Sequence, residues 1–119
     1  MIDAELGDED YCYLTTTGRI SGEPRQIEIW FAVEGDTLYM LSGGGDRSNW
    51  VRNLMREPTV TVRIRDRTLH GRARPAEPRT EEDALARRLL PEKYAPRYSG
   101  DLEDWRRRAL PIAVDLQAG

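Results

Sequence analysis

Apolar and polar residues alternate along much of the chain, and this alternation predicts short β-strands. In residues 26–33, the large apolar side chains of Ile27, Ile29, Phe31 and Val33 stand at every second position. A period of two is typical of a strand with one buried face. The same pattern, bounded by glycine, proline and aspartate turns, predicts six strands at residues 11–17, 26–33, 37–41, 59–65, 68–76 and 112–116.

Three other stretches carry the spacing of an amphipathic helix. The first covers residues 49–56. The second begins after Thr80, which with Asp83 has the spacing of a capping box, and is predicted to end at Pro91 because proline lacks a backbone N–H. The third covers residues 102–109. The chain therefore carries helices between some of its strands.

Short consecutive strands with a few helices predict an α+β fold in which six antiparallel strands curl into a barrel flanked by about three helices. The chain has 119 residues, a length typical of one domain. No internal repeat or linker divides it. We therefore expect a single domain over residues 1–119.

Composition narrows the classes of function. Cys12 and His70 are the only cysteine and histidine, so the chain cannot form an internal disulfide and lacks the ligands of a Cys/His zinc site. The net charge of −3 gives nucleic acid no overall attraction. Residues 1–10 are acidic, and no apolar run is long enough to span a membrane. We predict a cytoplasmic protein without a metal, a nucleic-acid partner or stable membrane association.

The most distinctive segment is L-T-T-T-G-R-I-S-G-E-P-R at residues 14–25. Arg19 and Arg25 bracket a glycine-containing turn, and a guanidinium group can hold a phosphate through two parallel hydrogen bonds. The hydroxyl groups of Thr16, Thr17 and Ser21 can add further bonds. The segment predicts an anion site, although an ordinary hairpin with solvated arginines also fits these residues alone.

A second candidate site is the loop formed by Ser42, Gly43, Gly44 and Gly45, which precedes the first predicted helix. Backbone N–H groups at the start of a helix favour negative charge. The loop can therefore hold a phosphate or an anionic ring, with a flexible connector as the alternative. Trp50 and Asn53 follow on the helix, where Trp50 can flank a ligand or belong to the core.

Two of these segments together resemble the deazaflavin-dependent nitroreductase and quinone reductase family. This family is a branch of the split β-barrel flavin-binding proteins related to pyridoxamine phosphate oxidase. The matching motifs are T-T-T-G-R-x-S-G-x-x-R at residues 15–25 and W-x-x-N-L-x-x-x-P-x-V-x-V at residues 50–62. A weaker third match is a segment with Tyr94 and Tyr98, followed by a proline and an apolar strand.

The resemblance implies a split barrel that binds reduced 8-hydroxy-5-deazaflavin, coenzyme F-420, and transfers a hydride from it to a nitro, quinone or enone acceptor. It assigns the cofactor's phosphate to the arginine turn and its ring to the glycine loop. Tyr94 and Tyr98 become candidate catalytic residues that donate a proton or hydrogen bond to the acceptor, although either can simply pack its ring. The expected cofactor-binding residues are Thr17, Arg19, Ser21, Arg25, Ser42, Gly43, Gly44, Gly45, Trp50 and Asn53.

One departure from the family pattern keeps alternatives open. Ile20 stands where family members often have a lysine, so one phosphate contact is missing. An FMN-binding split-barrel oxidoreductase and a non-catalytic cofactor- or ligand-binding protein remain alternatives. Split barrels of this type are usually dimeric, and we expect a homodimer. Trp30 is a candidate for the apolar surface that a second subunit covers, unless it packs under a helix.

Overall fold

One curled antiparallel sheet of seven strands forms the centre of the computed structural model, which describes residues 2–98 and 100–117. The strands are β1 (Cys12–Thr17), β2 (Pro24–Ile29), β3 (Ala32–Glu34), β4 (Thr37–Ser42), β5 (Thr59–Ile64), β6 (Arg67–Pro75) and β7 (Leu110–Leu116). They lie side by side in the order β2-β1-β5-β6-β7-β4-β3, and each neighbouring pair is antiparallel. The sheet has the form of a half-barrel, with β2 and β3 at its two edges.

Helices cover the mouth and one side of the sheet. They are α1 (Ala4–Gly7), α2 (Asn49–Arg56), α3 (Glu81–Tyr94) and α4 (Leu102–Arg108). The Thr80 hydroxyl oxygen accepts a hydrogen bond from the backbone N–H of Asp83 at 3.2 Å, which confirms the predicted start of α3. Within the described residues, none of the helices has the length and apolar character needed to cross a membrane.

The counts differ from the prediction of six strands and about three helices. The predicted strand at residues 26–33 is two strands, because the backbone of Phe31 pairs with α3 instead of a neighbouring strand. Its N–H donates to the Tyr94 hydroxyl at 3.0 Å, and its carbonyl accepts from Lys93 Nζ at 2.8 Å. The unpredicted α1 is one short turn capped by the side chain of Asp3. The α+β class and the antiparallel curled sheet are confirmed.

The predicted end of α3 at Pro91 is also wrong. Pro91 lies inside the helix, which continues to Tyr94. Proline removes one N–H donor, but its carbonyl can still accept a hydrogen bond. The N–H of Ala95 donates to the Pro91 carbonyl at 2.8 Å and closes the last turn. This extra turn places Lys93 and Tyr94 against the break between β2 and β3.

Two apolar clusters lie on the two faces of the sheet. The larger one fills the inside of the half-barrel, where Val51 and Leu54 of α2 pack among the strands. The smaller one lies between the sheet and α3 and α4, with Leu90 and Tyr94 of α3 at its centre. Cys12 belongs to the larger cluster and is fully buried. The clusters hold α2 against the end of β1, where the candidate site lies.

Candidate functional site

Arg19 follows β1 and is held by the side chains of α2. Its Nη1 donates to Asn53 Oδ1 at 2.9 Å, and its backbone N–H donates to the same oxygen at 3.2 Å. Its Nη2 donates to Asn49 Oδ1 at 3.2 Å. Asn53 is buried and donates from Nδ2 to Thr16 Oγ1 at 3.2 Å. The helix thus fixes the direction of the Arg19 guanidinium group.

Arg25 is held from the other side of the turn between β1 and β2. Its Nη2 donates to Ser21 Oγ at 3.2 Å. The turn is closed by hydrogen bonds from Gly18 N to Glu23 O and from Gly22 N to Gly18 O, both 2.8 Å long. A Cβ atom at Gly18 would lie 2.8 Å from Ser21 Oγ, closer than real Cβ contacts allow. The turn therefore requires glycine at position 18 to keep Ser21 and Arg25 in place.

Arg19 and Arg25 both line a cleft of about 680 Å³, and the side chains that hold them, Asn53, Asn49 and Ser21, are neutral. In residues 2–98 and 100–117, no carboxylate lies within ion-pair distance of Arg19 or Arg25, in contrast to Arg74 and Arg97. Two uncompensated, pre-oriented guanidinium groups fit a phosphate. We call this space the arginine cleft; its lining is Thr16, Gly18, Arg19, Ile20, Ser21, Pro24, Arg25, Gln26, Ile27, Asn49, Trp50 and Asn53.

Five of the residues predicted from sequence meet in this cleft, namely Arg19, Ser21, Arg25, Trp50 and Asn53. Thr17 does not line it, and Thr16 does. Successive strand residues point to opposite faces, so Thr16 shares the inner face of β1 with the buried Cys12 and Leu14. The parity of that alternation is the sequence signal that separates Thr16 from Thr17. Asn49, one residue before Trp50, was not among the predicted residues.

The glycine loop lies outside the lining of the arginine cleft. Ser42 Oγ donates to Gly45 O at 2.9 Å and also lies 2.9 Å from Ser48 Oγ, and these bonds shape the loop. The loop continues through a 3-10 turn at Gly45–Arg47 into α2. At its far end, the Gly43 backbone lies close to the Trp105 ring.

A second cleft of about 480 Å³ lies at that far end, and we call it the aromatic cleft. Trp30 forms edge-to-face contacts with Tyr98 and Trp105, with ring centroids 5.3 and 5.6 Å apart. In the chain, the glycine loop lies between Leu41 of the aromatic cleft and Asn49 of the arginine cleft. Strand β2 connects the two clefts, because residues 24–27 line the arginine cleft and residues 28–29 line the aromatic cleft. The lining is Glu28, Ile29, Trp30, Leu41, Tyr98, Asp101, Leu102 and Trp105.

The two tyrosines predicted as catalytic occupy different environments. Tyr94 is buried and lines neither cleft. Its hydroxyl donates to Asp10 O at 2.7 Å, and burial raises its pKa. Tyr98 is 49% exposed at the rim of the aromatic cleft. Trp30 stacks on Tyr94 with ring centroids 4.1 Å apart. Trp30 therefore packs beneath α3, which was the second of the two expectations for this residue, the first being a surface covered by another subunit.

A family model described as F420H(2)-dependent quinone reductase matches residues 2–117 of the chain. The chain belongs to this family. As a member of it, the protein is an oxidoreductase whose cofactor is coenzyme F-420. An F420H(2)-dependent quinone reductase of Mycobacterium tuberculosis is 29% identical to it over 104 residues, which are 85% of this chain and 69% of that protein.

Solved structures agree with the family assignment. An F420-H2 dependent reductase has a TM-score of 0.71 and 27% identity, and the match covers 89% of this chain and 94% of that one. A second structure, described as a domain-swapped dimer, has a TM-score of 0.72 and 26% identity over 90% of this chain and 81% of that one. The matches favour F-420 over FMN and an enzyme over a non-catalytic binder.

Proposed function

We propose that this reductase acts on a quinone, nitro or enone acceptor, with the phosphate of F-420 in the arginine cleft and the acceptor in the aromatic cleft. Bound F-420 in its reduced form supplies the hydride. The protein contributes position, because hydride transfer needs donor and acceptor held close together with water excluded. The proposal extends the family assignment to the residues of this chain.

The observation that carries the proposal is the pair of guanidinium groups without carboxylate partners among the described residues. Arg19 is oriented by Asn53 and Asn49, and Arg25 by Ser21. These partners are neutral, so the positive charge of both arginines is available to a phosphate. Hydrogen bonds between charged groups are shorter and stronger than neutral ones. The helix α2 adds the favourable end of its dipole to the same cleft.

The path between the two clefts supports the placement of the deazaflavin ring. Strand β2 runs from the arginine cleft to the aromatic cleft, and the glycine loop lies in the chain between Leu41 of the aromatic cleft and Asn49 of the arginine cleft. A cofactor whose phosphate lies at Arg19 can extend its ring along Ser42–Gly45, where the small residues let a ligand approach the backbone. Trp50 lies at the arginine end of this path.

The aromatic cleft suits a planar acceptor. Trp30 and Trp105 offer ring faces and edges for stacking, and Tyr98 places an exposed phenol at the rim. We assign Tyr98 the role of hydrogen-bond donor to the acceptor oxygen on which negative charge develops. Tyr94 acts through Trp30, since its ring stacks on the indole and its hydroxyl is bonded to backbone groups.

We further propose that the protein is a cytoplasmic homodimer. A related protein, 26% identical, is described as a domain-swapped dimer. The single cysteine, Cys12, is buried and free, which is consistent with a reducing compartment. Analytical ultracentrifugation across a concentration range tests the dimer. A monomer at all concentrations would contradict it.

The decisive experiment for the site is a titration with F-420, monitored by the fluorescence of the cofactor, on the wild type, Arg19→Gln and Arg25→Gln. Loss of one charged hydrogen-bonding partner is worth about 1.5–3 kcal/mol, so each variant should bind about 10- to 100-fold more weakly. Arg88→Gln is the matched control, because Arg88 is an exposed residue of α3 outside both clefts. Unchanged affinity in both cleft variants would refute the placement.

Turnover of the acceptor is tested separately, under anaerobic conditions, with quinone, nitro and enone compounds and reduced F-420. We expect oxidation of the cofactor with at least one of the three classes. Substitution of Trp30 or Trp105 by leucine should raise the KM for the acceptor and leave the affinity for F-420 unchanged. Equal effects on both ligands would contradict the assignment of separate clefts.

A further inference from the structure

Lys93 is the only lysine of the chain and occupies an unusual place at the end of α3. Its Nζ donates to the Phe31 carbonyl at 2.8 Å. The same atom lies 3.7 Å from the centre of the Phe31 ring and 5.1 Å from that of Tyr94. One backbone oxygen and two aromatic rings replace much of the water that surrounds an ordinary lysine.

A third cleft, of about 760 Å³, lies beside this amine. It lies between α1, β3 and the end of α3, apart from the two clefts already described. Lys93, Leu89 and Val33 belong to its lining, together with Arg97. A neutral amine that donates one hydrogen to Phe31 still has its lone pair and a second hydrogen to turn toward this space. The cleft therefore gives a small molecule access to a nucleophilic nitrogen.

The environment of Lys93 favours the neutral amine, mainly through burial. Burial, followed by the positive charge of Arg97, lowers its pKa to about 8. Asp8, Asp10 and Cys12 act in the opposite direction, and the two aspartates are paired with Arg97 at 2.6 and 2.7 Å. Glu92 also lines the cleft, and its carboxylate contacts Arg88. Cys12 does not compete as a nucleophile, because burial raises the pKa of its thiol to about 12.

We propose that Lys93 is a site of covalent acylation by small acyl thioesters that enter this cleft. The Lys93 nitrogen attacks the thioester carbonyl carbon, so that a carbon–nitrogen bond forms and the carbon–sulfur bond breaks. The thiolate leaves, and the surplus proton of the amine passes to the thiolate or to water. The step needs no oxidant or reductant.

Acylation changes the contact between α3 and the break in the sheet. The amide product keeps one N–H for the Phe31 carbonyl but carries no positive charge. The cation–π contact with the Phe31 ring is therefore lost. Phe31 is next to Trp30, and Lys93 is next to Tyr94, so the modified residue adjoins the stacked pair behind the aromatic cleft.

The test is acetylation of the intact protein with the acetyl thioester of N-acetylcysteamine, followed by peptide mass mapping. The mapping separates Lys93 from the N-terminal amine. Arg88→Lys provides the reference, because it places an ordinary exposed lysine on the same helix. At pH 7.5 the pKa of about 8 leaves a far larger fraction of Lys93 neutral than the pKa of about 10.4 leaves of an ordinary lysine. An amine of lower pKa is also a weaker nucleophile, and this offsets part of the gain. We expect Lys93 to react about tenfold faster than the reference lysine.

The pH dependence provides a second measurement. The rate at Lys93 should reach half its maximum near pH 8, and the rate at the reference lysine should still rise above pH 10. Lys93→Arg, with the rest of the chain unchanged, should leave no acetylated lysine. Equal rates at the two lysines, or a half-maximum for Lys93 near pH 10, would overturn the proposal. Acetylation confined to the N-terminal amine would also overturn it.

Discussion

Arg19 and Asn53 are joined by two hydrogen bonds that end on one amide oxygen, from the guanidinium group at 2.9 Å and from the backbone N–H at 3.2 Å. The two residues are 34 positions apart in the chain. The bonds connect the turn after β1 to the middle of α2. They orient a positive charge without neutralising it, because the acceptor is an amide.

Asn53→Asp should weaken the binding of F-420 by at least about tenfold, or 1.4 kcal/mol. The carboxylate keeps an acceptor for Arg19 but adds a negative charge beside the position proposed for the phosphate, and like charges at a binding site repel. Thr16 can donate its hydroxyl hydrogen to the new carboxylate, so the fold should persist. Cofactor titration and thermal unfolding measure the two effects. Unchanged affinity in a folded variant would contradict the role of the Arg19 charge.

Gly18→Ala should reduce cofactor affinity by disturbing the turn that carries Ser21 and Arg25. The added Cβ would lie 2.8 Å from Ser21 Oγ and 3.3 Å from Arg25 Nε. Overpacking of this kind typically costs about 1–3 kcal/mol. Gly7→Ala is the control, because its Cβ would meet only Val33 at an ordinary 4.0 Å. Equal affinity in the two variants would show that the turn tolerates the methyl group.

Tyr94→Phe should destabilise the protein and leave kcat almost unchanged. The lost hydroxyl serves the Phe31 N–H and the Asp10 carbonyl, and unsatisfied buried groups cost about 1–3 kcal/mol. Tyr98→Phe should behave in the opposite way, with unchanged stability and a lower kcat, because that hydroxyl is at the rim of the aromatic cleft. Denaturant unfolding and anaerobic turnover distinguish the two. A large fall in kcat for Tyr94→Phe alone would restore Tyr94 as the catalytic candidate.

Glu82→Gln should remove a pH-dependent part of the stability. Hydrogen bonding to Arg74 lowers the pKa of Glu82, and the Tyr39 hydroxyl also donates to it. Because the pKa of Glu82 is lower in the folded than in the unfolded protein, its ionised carboxylate stabilises the fold at pH values above the unfolded pKa of about 4.3. This stabilisation is lost as the pH falls through the folded pKa.

We therefore expect urea unfolding at neutral pH to give a higher midpoint for the wild type than for Glu82→Gln. The difference between the two midpoints should shrink below about pH 4.3, in a series measured from pH 7 to pH 3. Glu92→Gln is the control, because Glu92 makes only an exposed contact of 3.4 Å with Arg88. A constant difference between wild type and Glu82→Gln over the whole pH range would contradict the assigned cause.

The alternation of apolar residues was enough to predict most strands, because local burial follows a period of two. It could not show that Trp30 and Phe31 form a break between two strands, since that break depends on Lys93 and Tyr94, more than 60 residues from Phe31. The motif around Arg19 and Arg25 likewise predicted an anion site. Thr17 entered the expected cofactor-binding set without Thr16, although Thr16 shares the face of β1 with Cys12 and Leu14.

By itself, the sequence determined the α+β class, the family and the pair of arginines that bracket one glycine-containing turn. Periodicity and residue chemistry were sufficient for this because they act over a few neighbouring positions. Only the tertiary structure decided that, within residues 2–98 and 100–117, those arginines have neutral partners, and that β2 runs from one cleft to the other. It also placed Tyr94 in the core and Tyr98 at a rim. These properties depend on which distant residues pack against each other, and a local pattern does not contain that information.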